Sequence, residues 1–230
     1  MKKKLKEKLE NINFLLSKNA QSRPSYQVKM VIDFLLEKNK GEKYKNLLDV
    51  GGGFDAAYKE ELSKLSRNYL NLEIKKGGLV NIVGSVYRMP FKANEFNIIC
   101  LFMVMEHLNE PLKALKECSR ILKKGGYVAI TTVQYWQTHN YPSDYFRYTR
   151  NGLEYLCNKA GLKVVKAYSH GGPWLVLFHV IEINLRGPVR IIFSIVFYKL
   201  FNFLDWIFFR HYDRRVESDS LGWTFIASKT

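Results

Sequence analysis

The run Asn46-Leu47-Leu48-Asp49-Val50-Gly51-Gly52-Gly53-Phe54-Asp55-Ala56-Ala57 constrains this chain more than any other stretch. Leu47 to Val50 is a short apolar run interrupted only by Asp49. Three glycines follow, then residues that can start a helix. The pattern is strand, tight turn, helix. Glycines at such a turn let backbone N–H groups approach a ligand, because no Cβ stands in the way. A group bound there sits at the carboxyl end of a parallel strand, where open α/β sheets place their ligands.

The turn alone admits three readings. It can be a structural glycine turn with no ligand. Gly51-x-Gly53-x-x-Ala56 fits the dinucleotide fingerprint. Asp49-x-Gly51-x-Gly53 resembles the first motif of the class I S-adenosylmethionine (SAM) methyltransferases. The flanking sequence chooses among them.

Before the turn, Met1 to Leu16 carries Lys2, Lys3, Lys4, Lys6 and Lys8, with Leu5, Leu9, Ile12 and Leu16 at helical spacing, and reads as a basic amphipathic helix. Ser25 can cap a second helix that buries Val28, Val31, Ile32, Leu35 and Leu36. After the turn, a helix is expected from Ala56 to Ser66. Tyr69 to Ile74 then alternates as a second strand, with Glu73 lying 20 residues beyond Gly53. An acid there can accept hydrogen bonds from both hydroxyls of a ribose. Asn81 to Ser85 reads as a third strand. Ile98 to Phe102 suits a fourth, buried on both faces. Glu106-His107-Leu108 follows it, and Pro111 starts a helix with Leu112, Leu115, Cys118, Ile121 and Leu122 on one face. Lys123-Lys124-Gly125-Gly126 is expected to end that helix, and Tyr127 to Thr132 is the fifth strand. Strands and helices alternating with short connections make a doubly wound, mostly parallel α/β sheet.

The order Gly84-Ser85, Met89-Pro90-Phe91, Glu95-Phe96-Asn97-Ile98-Ile99, Glu106-His107-Leu108, Pro111 to Leu115 and Ile121 to Gly126 resembles the central block of the type 11 SAM-dependent methyltransferases, over Leu47 to Thr132. The resemblance implies a seven-stranded Rossmann-like sheet with an antiparallel last strand, SAM as cofactor, and Asp49, Gly51, Gly53, Glu73, Ser85 and Val86 as its binding residues. This chain departs from the family at Asp55, where a third glycine is usual, and at Ser85, where an acid is usual. A nicotinamide enzyme is not expected to carry the Glu106-His107 and Lys-Lys-Gly-Gly elements.

The loop Gln137 to Thr149 alternates aromatic and polar residues without a buried period, as acceptor loops at the carboxyl edge of a sheet do. Tyr141-Pro142-Ser143-Asp144-Tyr145-Phe146-Arg147-Tyr148-Thr149 resembles a loop in methyltransferases of cell-surface glycan biosynthesis. Thr149 caps a helix to Ala160, Leu162 to Tyr168 is the sixth strand, and Gly222 to Lys229 fits the antiparallel last one. The expected layout is therefore basic helices over 1–45, a SAM-binding core over 46–172, an insertion over 173–215 and a final core strand over 216–230. The insertion holds eleven of the chain's 33 aromatic residues. Within it, Arg190, Ser194, Tyr198, Asn202 and Asp205 share one helical stripe, and nearly all else from Val189 to Phe209 is apolar. Lys199 and Asp205 interrupt a span, so a helix lying in a membrane interface is expected, with Arg186, Arg190, Arg210, Arg214 and Arg215 toward anionic headgroups. A dimer or partner interface is the alternative.

Methyl transfer to a hydroxyl needs a base, and the candidates are His107, His139 and Asp144, with His170 behind them. The three cysteines are dispersed and form no C-x-x-C, which favours a reducing compartment and excludes a zinc knuckle. No apolar stretch follows the charged first residues, so no secretory signal is expected and the inner membrane face is the expected location. A net charge of +15 suits an anionic membrane or nucleic acid. The Asn/Asp-Pro-Pro-aromatic motif of amino-methylating nucleic-acid enzymes is absent after the fourth strand, where Met105-Glu106-His107-Leu108 stands. The expectation is a SAM-dependent methyltransferase acting on a membrane-associated acceptor: a lipid-linked glycan first, then a quinone or lipid headgroup. A nucleic-acid enzyme and a non-enzymatic membrane protein on the same fold are the rivals.

Overall fold

The computed structural model describes residues 24–139, 143–209 and 219–230. The basic helix expected over Met1–Leu16 lies outside them, as do Tyr141, Pro142, Arg210, Arg214 and Arg215.

The chain runs α1 (Pro24–Lys38), β1 (Tyr44–Val50), α2 (Lys59–Leu65), β2 (Ser66–Glu73), β3 (Ile82–Val83), β4 (Phe96–Phe102), α3 (Pro111–Ile121), β5 (Leu122–Val133), α4 (Arg150–Lys159), β6 (Leu162–Ser169), α5 (Pro173–Asn184), α6 (Gly187–Phe209) and β7 (Gly222–Lys229). The seven strands form one sheet in the order β3-β2-β1-β4-β5-β7-β6. The β1–β2, β2–β3, β1–β4 and β4–β5 pairs are parallel, and β7 runs antiparallel between β5 and β6. This is the expected doubly wound α/β sheet. The order reverses at β1 and β4, so a crevice opens at their carboxyl ends.

Strand β4 shows why the centre of the sheet is dry. Ile99 and Leu101 face the cluster formed with Ala114, Leu115 and Cys118 of α3 and Leu153 and Cys157 of α4. Ile98, Cys100 and Phe102 face the opposite cluster with Val28, Val31 and Leu35 of α1 and Leu62 and Leu65 of α2. Period-two alternation sends every side chain from Ile98 to Phe102 into one apolar layer or the other, which requires a continuous apolar run. Each such side chain fully buried is worth about 1.5–3 kcal/mol.

Several boundaries differ from the sequence reading. Helix α2 starts at Lys59 rather than Ala56, because Ala56 is left-handed (φ 48°) and prolongs the turn. Asp55 therefore stands exposed in the turn instead of heading a helix. Helix α3 ends at Ile121, and Lys123-Lys124-Gly125-Gly126 belongs to β5 rather than to a helix cap. Leu122 is fully buried and pairs with Phe96, so sheet burial wins over one more helical turn. The third strand keeps only Ile82–Val83.

Between β6 and β7 the chain makes the apolar helix pair α5 and α6. Ser194, Tyr198 and Asp205 of the polar stripe are turned onto α5, and Arg190, although exposed, reaches the same helix. The Asp205 carboxylate accepts the N–H groups of Gly172, Trp174 and Leu175 and so caps α5. Ser194 donates to Glu182 Oε1 at 2.9 Å, with Arg190 Nε 3.3 Å from the same oxygen. Tyr198 meets the edge of Phe178. The apolar side faces outward: Val189, Ile192, Val196, Phe203, Trp206 and Phe208 are all more than half exposed. By length and composition, Gly187–Phe208 could cross a membrane, and 6% of its most apolar window is buried.

Candidate active site

The site is built where β1, β2, β4 and β5 end. Gly51 is left-handed (φ 74°), and a Cβ there would lie 2.7 Å from Cγ2 of Val104. Only glycine permits that approach, which joins the turn after β1 to the segment after β4. Gly53, also left-handed (φ 81°), donates its N–H to Glu73 Oε1 at 2.9 Å. Glu73 Oε2 accepts the N–H of Ile74 at 3.1 Å. The carboxylate at the end of β2 thus already faces the glycine turn. A carboxylate has about four lone-pair positions, so two remain for ribose hydroxyls.

Asp49 lies beneath the turn rather than on its surface. It is buried, and the Tyr69 hydroxyl donates to its Oδ2 at 2.8 Å. Burial pushes its pKa up to about 6, against the lowering effect of the Tyr69 hydrogen bond. A Cβ on Gly52 would come within 2.4 Å of Asp49 Oδ2 and 2.9 Å of Asn71 Oδ1. Gly52 therefore makes room for both polar side chains under the turn. Asn71, which the sequence reading missed, donates from Nδ2 to the Gly53 carbonyl at 2.7 Å, and its buried Oδ1 lacks a partner among the described residues. The available signal was a polar residue in mid-strand, directly across from Asp49 in the β1–β2 register.

Ser85 is placed beside Glu73 because Gly84 donates its N–H to the Glu73 carbonyl at 2.9 Å. Ser85 Oγ accepts the N–H of Tyr87 at 3.2 Å, which still leaves the hydroxyl hydrogen to donate. The Val86 side chain joins the apolar layer under the crevice.

The second group of residues lies at the ends of β4 and β5. Left-handed Met103 (φ 56°) turns the chain, anchored by its N–H on Thr131. Met105–His107 then forms one 3-10 turn. Glu106 is buried and accepts the Thr132 hydroxyl on Oε2 at 2.9 Å, and its Oε1 lacks a partner among the described residues. Burial raises its pKa, opposed by its hydrogen bonds and by His107 and His139. Its carbonyl accepts the N–H of Tyr145 at 2.8 Å, which folds the loop after β5 back onto the 3-10 turn. That brings the rings of His107 and His139 edge to face, with centroids 5.0 Å apart. His107 Nδ1 is 2.5 Å from the Ser143 carbonyl. His139 Nδ1 is 3.2 Å from the Gln137 carbonyl and 3.4 Å from Asp144 Oδ2.

Asp144 orients this loop. Both Arg147 terminal nitrogens bond its carboxylate, and the His139 N–H donates to Oδ2 at 2.9 Å. The Arg147 hydrogen bond holds its carboxyl well below the usual range, so it stays ionised and fixes His139 instead of taking up a proton. His170 is buried away from the crevice, with Nε2 2.7 Å from the Thr224 hydroxyl, and burial depresses its pKa to about 3. The structure thus forms two neighbouring groups. Gly51, Gly53 and Glu73 line a cradle supported by Asp49 and Asn71, and Glu106, His107, His139 and Asp144 lie next to it across Val104.

The cradle has the chemistry of a nucleoside site: a glycine turn that brings backbone close to a ligand, and beside it an acid whose carboxylate keeps spare lone pairs. It fits SAM, whose sulfonium supplies an already activated methyl group.

Comparison with known proteins agrees with this geometry. The type 11 methyltransferase-domain family matches residues 48–130. An uncharacterised methyltransferase of Schizosaccharomyces pombe is 38% identical over 63 residues, spanning 27% of this chain and 23% of that protein. An uncharacterised protein of Methanocaldococcus jannaschii is 36% identical over 108 residues, spanning 44% of this chain and 47% of that protein. The chain therefore spans less than half the length of these curated relatives. Among solved structures, geranyl diphosphate C-methyltransferase from Streptomyces coelicolor A3(2), in complex with Mg2+, geranyl diphosphate and S-adenosylhomocysteine, superposes with a TM-score of 0.58. It is 13% identical and covers 90% of this chain and 79% of its own. Residues 48–130 thus match the methyltransferase-domain family, and the strands around them complete a seven-stranded sheet of the fold that the solved methyltransferase shares.

Proposed function

We propose that the protein transfers the methyl group of SAM to a hydroxyl of a membrane-associated acceptor, a lipid-linked glycan, from the inner face of a cytoplasmic membrane. The observation that carries the membrane part is the outward apolar face of α6. Its helix partner α5 reaches the acceptor loop: His179 stacks on Trp136 at 4.1 Å, three residues before His139. With Asp205 and Ser194 holding the polar stripe on α5, the exposed side chains are free to enter lipid while the crevice stays beside them. The net charge of +15 favours anionic headgroups. The glycan is supported by the likeness of the Asp144-Tyr145-Phe146-Arg147 loop to glycan methyltransferases; a quinone or lipid headgroup presents a hydroxyl to the same loop.

In this reading the glycine turn and Glu73 hold the cofactor's methionine and ribose parts, and Ser85 lies toward the adenine. The protein's main task is alignment of donor and acceptor for in-line attack. The acceptor hydroxyl must also lose its proton, and His107 and His139 are its candidate acceptors in this reading.

Vesicle flotation tests the membrane part. The wild-type protein floats with anionic vesicles, and the triple change Ile192→Glu, Phe203→Glu, Trp206→Glu, all at exposed positions, lowers the bound fraction at least about tenfold. Flotation unchanged by the triple change contradicts the assignment. A salt-sensitive RNA or DNA complex without lipid binding would instead favour a nucleic-acid acceptor, the reading that the net charge alone would support.

A further inference from the structure

We propose that Glu106, His107 and His139 form a binding site for one divalent transition-metal ion, of the Zn2+, Mn2+ or Co2+ class, on the acceptor side of the crevice. One donor atom from each of the three residues lies within 4.8 Å of the other two. A proximity of this kind is common among exposed acidic groups, but here the carboxylate is buried and both histidines are half-buried. Glu106 is fully buried, and its Oε1 has no hydrogen-bond partner among the described residues. A buried carboxylate oxygen left unpaired is costly, and a cation bound to it removes the cost.

The histidines are oriented as ligands are. The Nδ1 atom of each faces a backbone carbonyl, Ser143 for His107 and Gln137 for His139. Nδ1 must carry the proton in both cases, which leaves the Nε2 lone pair to coordinate. Asp144 stands behind His139 and is itself fixed by Arg147. Carboxylates and carbonyls behind metal-binding histidines set the tautomer and the ring orientation in this way. Two imidazoles and one carboxylate suit intermediate divalent ions. Three protein ligands leave coordination positions open, which is the pattern of catalytic rather than structural sites. The cysteines do not compete, because all three are fully buried elsewhere in the core.

The consequence for the reaction rests on the methyl-transfer reading above. A hydroxyl oxygen of the acceptor coordinates the ion at an open position, and its pKa falls. The O–H bond breaks and the proton passes to solvent, leaving a metal-bound alkoxide. That oxygen attacks the methyl carbon in line: the new C–O bond forms as the C–S bond of the sulfonium breaks. The products are the methyl ether and S-adenosylhomocysteine, so one proton is released per methyl transferred. The histidines then act as ligands instead of taking up the proton themselves.

The test uses the whole protein without acceptor. Equilibrium dialysis with Zn2+ gives the stoichiometry, and the visible absorption of added Co2+ reports the ligand field. S-adenosylhomocysteine affinity and circular dichroism are measured on the same samples. Wild-type protein is expected to bind one equivalent. His139→Ala and His107→Ala are expected to weaken binding at least about 30-fold, and Asp144→Asn about tenfold, with the fold and the S-adenosylhomocysteine affinity retained. His139 is partly exposed, so its loss leaves the core intact. No stoichiometric metal in a protein that still binds S-adenosylhomocysteine overturns the metal site and leaves the methyltransferase reading standing. Metal binding unaffected by the two histidine changes also overturns it. Metal binding with the expected losses but no S-adenosylhomocysteine binding supports the site and contradicts the cofactor reading instead.

Discussion

Glu73→Ala is expected to weaken S-adenosylhomocysteine binding about 100-fold, while Glu73→Gln weakens it about tenfold. The carboxylate faces the glycine turn through Gly53 and keeps lone pairs for two ribose hydroxyls. Hydrogen bonds to a charged acceptor are worth about 1.5–3 kcal/mol each, and about 1.4 kcal/mol is tenfold in affinity. Glutamine keeps one oxygen acceptor and loses the charge, hence the smaller effect. Calorimetric titration of the two variants checks this. Because Glu73 is partly exposed at a strand end, melting temperatures should change little. An unchanged affinity in the alanine variant would remove Glu73 from the cofactor site.

Asp49→Asn is expected to stabilise the protein above pH 6 and to lose that advantage by pH 4. Burial raises the folded-state pKa of Asp49 to about 6 from an ordinary value of 3.8. Below pH 4 the carboxyl is protonated in both the folded and unfolded states, and there is no penalty. Between 4 and 6 the unfolded chain gives up the proton and the folded one keeps it, so stability falls as pH rises. Above 6 the penalty is constant at about 3 kcal/mol. Asparagine keeps the shape and an acceptor for the Tyr69 hydroxyl, and its amide can donate toward the unpartnered Asn71 Oδ1. Urea unfolding of both proteins from pH 4 to 8 gives the difference directly, and subtracting one curve from the other cancels the opposite contribution of buried His170. A difference that does not grow with pH would mean that Asp49 titrates normally.

The parts legible in the sequence were those set by local pattern. The glycine turn and the run Ile98 to Phe102 each need only neighbouring residues to declare themselves, and the sheet follows from their alternation with helices. Ala56 was not legible, because alanine has a strong helical preference and its left-handed geometry is imposed by the turn beneath it. Asn71 was hidden for another reason: its importance comes from register across from Asp49, which no single strand reveals. His107 and His139 were each visible as chemistry-bearing residues. Their union with buried Glu106 depends on the loop after β5 folding back through Tyr145, a contact 39 residues apart in sequence. The polar stripe of α6 was clear from its spacing, but spacing does not say which side meets protein. The structure turns it onto α5 through Asp205 and Glu182 and leaves the apolar side outward.

The central claim is that the cradle of Gly51, Gly53 and Glu73 binds SAM, and calorimetric titration of the wild-type protein with S-adenosylhomocysteine, with NAD as the control, tests it most directly. The account predicts one site of micromolar affinity, on the order of 8 kcal/mol, for the first ligand and none for the second. Binding of NAD alone, or of neither ligand by a folded protein with lipid present, would contradict it.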